Sequence, residues 1–333
     1  MSGGGPLPTY GRAPYFPIVN DHRSSVRPDY GVATRAVMYI RTGFEISIAC
    51  TAETPLLLAL SLHSTYDNRI IGSDRIRIEP EVPMDEYIDS FGNRRTRLVA
   101  PVGSLGIWSD CIVEDSGLPD LYDWNAKQRE IAELPSETLM YLSASRYCET
   151  DELVERAWAL FGETPPGWAR VQAICNWVHN HLTFGYHFGR PTKTAVEAMR
   201  ERTGVCRDFA HLSIALCRAM NIPARYASGY LGDIGVPPSG AGDFSAWFEA
   251  YLGGRWYTFD ARHNTPRIGR VLTVRGHDAA DVAMITSFGS YDLELFRVWT
   301  DEIHDLDTDG DLLRLLEVRP NAPALTLALI ERV

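Results

Sequence analysis

No two of the chain's six cysteines, at positions 50, 111, 148, 175, 206 and 217, form a CxxC pair. That scatter excludes the usual zinc-ligand spacings and a dense disulfide framework. No window approaches the roughly 18 to 20 consecutive apolar residues that a membrane-spanning helix needs. The opening stretch, MSGGGPLPTYGRAPYF, lacks a basic segment followed by an apolar run. No secretory leader is therefore expected, and the expected location is the reducing cytoplasm. Positive charge is short, with 32 Lys and Arg against 43 Asp and Glu and a net charge of −11. Such a surface disfavours nucleic acid and anionic membrane as partners. Internal repeats and low-complexity segments are also lacking. What remains is a chain of 333 residues, 45% hydrophobic and 23% charged. That make-up suits a globular protein of two domains.

Residues 1–35, rich in Gly, Pro and polar residues, read as an extended arm. From 36 to 122 the pattern is β. Phe44, Ile46, Ile48 and Cys50 alternate with polar or small residues, Leu56–Leu62 is an apolar run of strand length, and Asp89–Asn93 carries a turn signal. Strand-like stretches follow at Arg97–Val102 and Ile107–Val113, so a β-sandwich is expected here. Residues 123–300 change character. Helices are predicted over Asp151–Phe161, Trp168–Leu182, Thr194–Arg202 and Cys206–Met220, the last ended by Pro223. Strands follow at Ala224–Tyr230, Ala246–Leu252 and Trp256–Phe259, the last two joined at Gly253-Gly254-Arg255. Helices followed by antiparallel strands make this domain α+β. An acidic, then apolar, tail covers 301–333. Asp305, Asp307, Asp309 and Asp311 copy half of a calcium loop, but the twelfth position is Leu316, so a solvated acidic loop is the better reading.

Cys206 opens its helix just after Gly204-Val205. A helix N-terminus offers unpaired N–H groups and a positive dipole end, both of which favour a thiolate, so its pKa is expected to fall. A lone cysteine at a helix start is more often a small buried residue. Its surroundings decide otherwise. The stretch Gly204-Val205-Cys206-Arg207-Asp208-Phe209-Ala210-His211-Leu212 is followed by Arg218-Ala219, Ile222-Pro223-Ala224-Arg225 and Gly229-Tyr230. Ala246-Trp247-Phe248-Glu249-Ala250-Tyr251-Leu252 and Trp256-Tyr257-Thr258-Phe259-Asp260 come next. These motifs, in this order over roughly residues 165–290, closely resemble the bacterial transglutaminase-like superfamily. The β-rich first part resembles the sandwich that precedes this core in many bacterial members.

The resemblance implies a papain-like core in which a Cys attacks an amide carbonyl, a His carries the proton and an Asp orients the His. Cys206 matches the nucleophile and Asp260 the orienting acid. The position of the His, in Asp243-Phe244-Ser245-Ala246-Trp247, holds Ser245. A serine hydroxyl is no general base at neutral pH. Three readings stay open. The protein is a degenerate enzyme retained for binding; or another histidine serves; or the reaction dispenses with a His here, or the serine is an introduced substitution. His263, three residues after Asp260, is the best candidate substitute, although an ordinary loop histidine fits as well. His211 falls on another face of the Cys206 helix, and His187, His179 and His181 read as loop or surface residues. Relatives place a residue near the oxyanion where Tyr186 stands. Arg207-Asp208 reads as a surface pair, and Trp247 and Trp256 as core. The expected partner is a peptide or protein substrate. No cofactor and no metal are expected, and the oligomeric state is open.

Overall fold

The alternation around Phe44 becomes one long strand. The structure, a computed structural model, describes residues 37–238, 240, 242–304 and 309–325. The expected arm over 1–35, and residues 305–308 and 326–333 of the tail, lie outside these. In β1 (Met38–Cys50) every second side chain from Phe44 onward is buried. Then come β2 (Thr54–Leu58), β3 (Ile70–Ile71), β4 (Arg77–Glu79), β5 (Met84–Ile88), β6 (Arg94–Ala100) and β7 (Gly103–Asp115). Ile46, Ile48, Leu56, Leu58, Leu98, Leu105 and Ile107 from these strands meet in one apolar core between two antiparallel sheets.

The middle of the chain supplies α1 (Ser136–Leu139), α2 (Thr150–Phe161), α3 (Trp168–His181), β8 (Thr183–Phe184), α4 (Ala195–Glu201), β9 (Thr203–Gly204) and α5 (Cys206–Ala219). It continues through β10 (Ala224–Leu231), β11 (Phe244–Leu252), β12 (Arg255–Phe259) and β13 (Arg270–Gly276). These last four strands form an antiparallel sheet in the order β12-β11-β10-β13. The fold is α+β, with a helical layer against this sheet.

The chain then closes back on its beginning. β14 (Ile285–Ser287) pairs with β2, and β15 (Tyr291–Ile303) pairs with β1 along its length, from Tyr39 opposite Ile303 to Cys50 opposite Tyr291. The sequence pattern groups these strands with the second segment, yet they complete the two sheets of the first. A short helix, α6 (Asp309–Leu315), follows.

Every residue of α5 is buried, including Arg218, whose guanidinium donates to the carbonyls of Ser143, Ala224 and His277 at 2.7–3.0 Å. A helix buried on all faces is a central helix rather than a surface one. Asn221, with φ at 62°, ends it just before Pro223. All nine residues of β11 are buried too, and they divide between two cores. Ala246, Phe248, Ala250 and Leu252 pack on the helices, while Phe244 and Trp247 pack on the sandwich. Each large apolar side chain so buried contributes about 1.5–3 kcal/mol. β11 thus fixes the helical layer and the sandwich relative to each other, and it carries Ser245.

Candidate active site

Cys206 is the first residue of α5, and local geometry sets it there. The Asp208 carboxylate folds back to accept the Val205 N–H at 3.0 Å, capping the first turn. That return leaves no room at Gly204, where a Cβ would stand 2.6 Å from Asp208 Cβ. Only glycine fits, which explains the Gly-x-Cys spacing physically. The expected surface pair Arg207-Asp208 is instead buried, and Arg207 donates to the carbonyl of Arg190.

The thiol of Cys206 borders a cavity of about 400 Å³ and is 8% exposed. Tyr186, Asp243, Phe244 and Ser245 line the same cavity. The Ala246 N–H lies near the sulfur. Burial pushes the Cys206 thiol up, while the Arg262 charge and the Ala246 N–H pull it down. This corrects the expectation of a lowered pKa: withdrawal of the sulfur from water outweighs those two groups.

Ser245 lies in β11 opposite Gly229, at a bulge in the ladder between β10 and β13. Its carbonyl accepts from Ser228, and its hydroxyl, buried, has no hydrogen-bond partner among the described residues. Phe248 pairs with Phe259, so Asp260 falls one step on, abreast of Trp247. Ser245, two residues before Trp247, projects to that same side of the sheet.

Asp260 is buried and fully engaged. One carboxylate oxygen accepts the backbone N–H groups of Arg262 and His263 at 3.0 and 3.1 Å. The other accepts from His263 Nδ1 and Arg270, both at 2.8 Å. Burial alone would raise its pKa, but Arg270 and His263 hold it well below the usual carboxylate range. When the ring is neutral and Nδ1 donates, Nε2 of His263 is left as an acceptor. His263 lines a second cavity, of about 700 Å³, which shares Tyr186, Asp243, Phe244 and Ser245 with the first as a common wall.

Two groups result. Asp260 and His263 are joined directly. Cys206, Ser245 and Tyr186 gather around the other cavity, and Ser245 and Tyr186 face both. Sequence reasoning missed Asp243, two residues before Ser245, whose carboxylate stands beside the Tyr186 hydroxyl. Burial raises Asp243 to about 6. It also missed Arg262 and Arg270, whose roles depend on residues distant in sequence. Burial likewise raises the Tyr186 phenol. Two other histidines are structural. His211 is fully buried, accepts the Ala279 N–H at 3.1 Å and is driven by burial down to about 3, so it stays neutral. His179 contacts the Ala261 and Arg262 carbonyls at 3.0 Å and steadies the loop after β12. Among the described residues, no group of three or more His, Cys, Asp or Glu side chains is arranged to hold a metal. No helix among them is long and apolar enough to cross a membrane.

The family model of the transglutaminase-like superfamily matches residues 158–261, a span that includes Cys206, Ser245 and Asp260. A Mycobacterium tuberculosis protein is 32% identical over 236 residues, 62% of this chain and 73% of its own length. A Mycobacterium leprae protein is 27% identical over 242 residues, 67% of this chain and 83% of its own. A solved structure from Cytophaga hutchinsonii, described as a candidate cysteine protease, superposes with a TM-score of 0.71 at 29% identity, covering 82% of this chain and 93% of its own. With motif order, fold and relatives in agreement, the chain belongs to the transglutaminase-like superfamily.

Proposed function

We propose that the protein is a cysteine enzyme acting on amide bonds of a peptide or protein, with Cys206 as nucleophile. One observation carries the reading: among the described residues Cys206 alone of the cysteines opens a helix, and it borders a cavity. In the reaction the sulfur bonds to the carbonyl carbon, the C–N bond breaks, and the thiol proton goes to the leaving amine. Water then hydrolyses the thioester, as in a peptidase or amidase, or a second amine takes the acyl group. Asp260 serves as the orienting acid and His263 as the candidate proton carrier, a role its bond to Asp260 supports. Tyr186, on the cavity wall, is suited to the oxyanion region. The name borne by the Cytophaga hutchinsonii relative agrees with a peptide substrate. Six free, buried thiols are in keeping with a reducing cytoplasm.

A catalytically silent peptide-binding module is the second reading, favoured by Ser245 where the imidazole belongs. Iodoacetamide labelling with peptide mapping separates the two. The enzyme reading expects Cys206 to react first, because burial raises Cys148 to about 12 and lifts Cys175 and Cys217 well above the ordinary thiol range. Labelling of Cys206 no faster than that of Cys148 or Cys217 would leave only the binding module.

A further inference from the structure

The two cavities that meet at Ser245 differ in chemistry. The larger is bordered by Asp233, Arg267, Asp301 and Glu302. The one that Cys206 borders is walled by Ile46, Met284, Ile285, Leu293 and Phe296. Of its two charged members, Arg207 is engaged with the Arg190 carbonyl, and Asp243 is buried beside Tyr186, which disfavours its ionised form. A charged guest would lose water there without gaining a free counter-charge.

The chain itself places a residue in this space. Leu325 lines the cavity, partly buried, and its N–H donates to the Phe296 carbonyl at 3.0 Å. Phe296 belongs to β15, which stands at the edge of its sheet among the described residues. An edge strand offers main-chain groups to an added extended segment, and an apolar pocket beside it selects the side chain.

We infer that the cavity beside Cys206 receives a large apolar side chain, leucine- or phenylalanine-like, of an extended peptide on the acyl side of the attacked bond, and that Leu325 is its internal stand-in. This rests on Cys206 being the nucleophile. A volume of about 400 Å³ lies within the range of about 300–1,000 Å³ typical of ligand pockets. The peptide runs beside β15, and Leu325 must leave before a bulky side chain enters.

The test uses the full chain and four acetyl-Ala-Ala-X acyloxymethyl ketones, with X as Leu, Phe, Asp or Lys. The Cys206 sulfur displaces the carboxylate leaving group and forms a thioether. Rates are divided by the iodoacetamide rate of the same protein. Leu and Phe should react about tenfold faster than Asp and Lys, or more. Leu293→Asp should erase that preference. Leu325→Ala should speed the Phe reagent and leave the Lys reagent slow. Equal rates for all four reagents, with Cys206 labelled by iodoacetamide, overturn the cavity assignment and leave the nucleophile standing. An unchanged Phe rate in Leu325→Ala overturns the stand-in role. Failure of iodoacetamide at Cys206 overturns the nucleophile reading, and this inference with it.

Discussion

Asp260 holds Nδ1 of His263 at 2.8 Å, yet the ring lines the cavity beside that of Cys206 rather than the same one. The Asp260–His263 pair is therefore assembled apart from the thiol, and the wall shared by the two cavities is Ser245 with Phe244, Asp243 and Tyr186. This arrangement gives the acid a second duty in stability, because Arg270 depends on it as well.

The first prediction concerns that duty. The folded-state pKa of Asp260 lies below its unfolded value of about 3.9, so its ionised form favours the fold. The contribution is complete above about pH 4 and is lost as the pH falls toward the folded value. Urea midpoints measured from pH 7 down to pH 2.5 should fall less steeply below pH 4 for Asp260→Asn than for the parent. Asp260→Ala, which takes one of two carboxylate partners from the buried Arg270 and leaves it paired with Asp120, should cost about 1–3 kcal/mol at pH 7. Equal slopes for the Asn variant and the parent would mean that Asp260 is not the acid holding this region.

A histidine at position 245 should complete the missing half. Its position, on the same side as Trp247 and on the wall shared by the cavities of His263 and Cys206, brings an imidazole between Asp260 and Cys206. An imidazolium neighbour stabilises a thiolate, so Ser245→His should lower the apparent pKa of Cys206 by about one unit or more, equivalent to about 1.4 kcal/mol. The pH dependence of the alkylation rate reads this directly. If His263 already serves, Ser245→His changes little and His263→Ala abolishes reactivity instead. A profile unmoved by both variants would sink the triad assignment.

Much of the site was legible because its signals are local. The period of two near Phe44 and the Gly-x-Cys opening of α5 involve neighbours in the chain, and both have a stated physical cause. The errors came where a property depends on distant residues. The thiol of Cys206 was expected to be lowered by its helix, but the surrounding β11 and cavity walls bury it. Asp243 carried no sign of a role because Tyr186, its partner, lies 57 positions earlier. Arg207 and Asp208 looked solvated because charge near a helix start usually is. Here Asp208 is needed as the cap.

That cap gives a third prediction. Gly204→Ala places a methyl group 2.6 Å from Asp208 Cβ, and the cap or the strand β9 must shift. The cost should be about 1–3 kcal/mol, seen as a lower Tm. Asp208→Ala, which removes the acceptor for the Val205 N–H, should cost about 0.5–2 kcal/mol. Asp208→Ala keeps the Cβ but removes Oδ2 and Cγ, which would stand 2.8 and 3.2 Å from the added methyl, so the double variant should be less destabilised than the two costs added together. Full additivity would show that the Cβ contact alone sets the requirement for glycine at 204.

The last prediction concerns how the chain divides. A boundary near residue 123 looks natural in the sequence, since strands end and helices begin there. Yet β14 and β15, from the far end of the chain, are built into the sheets of β2 and β1. A fragment covering 125–333 would keep the nucleophile, the helices and the sheet around β11, but would strip β15 of its partner from Tyr39 to Cys50. It would also uncover Phe244, Trp247, Phe296 and Val298, which pack in the sandwich core. An unpaired strand edge beside an apolar face is a template for aggregation. The fragment should therefore be insoluble or aggregated on size-exclusion chromatography, and co-expression with residues 36–124 should restore a soluble complex. A fragment that is monomeric, soluble and cooperatively melting on its own would show that the helical half folds without the sandwich, and that the closing strands are dispensable to it.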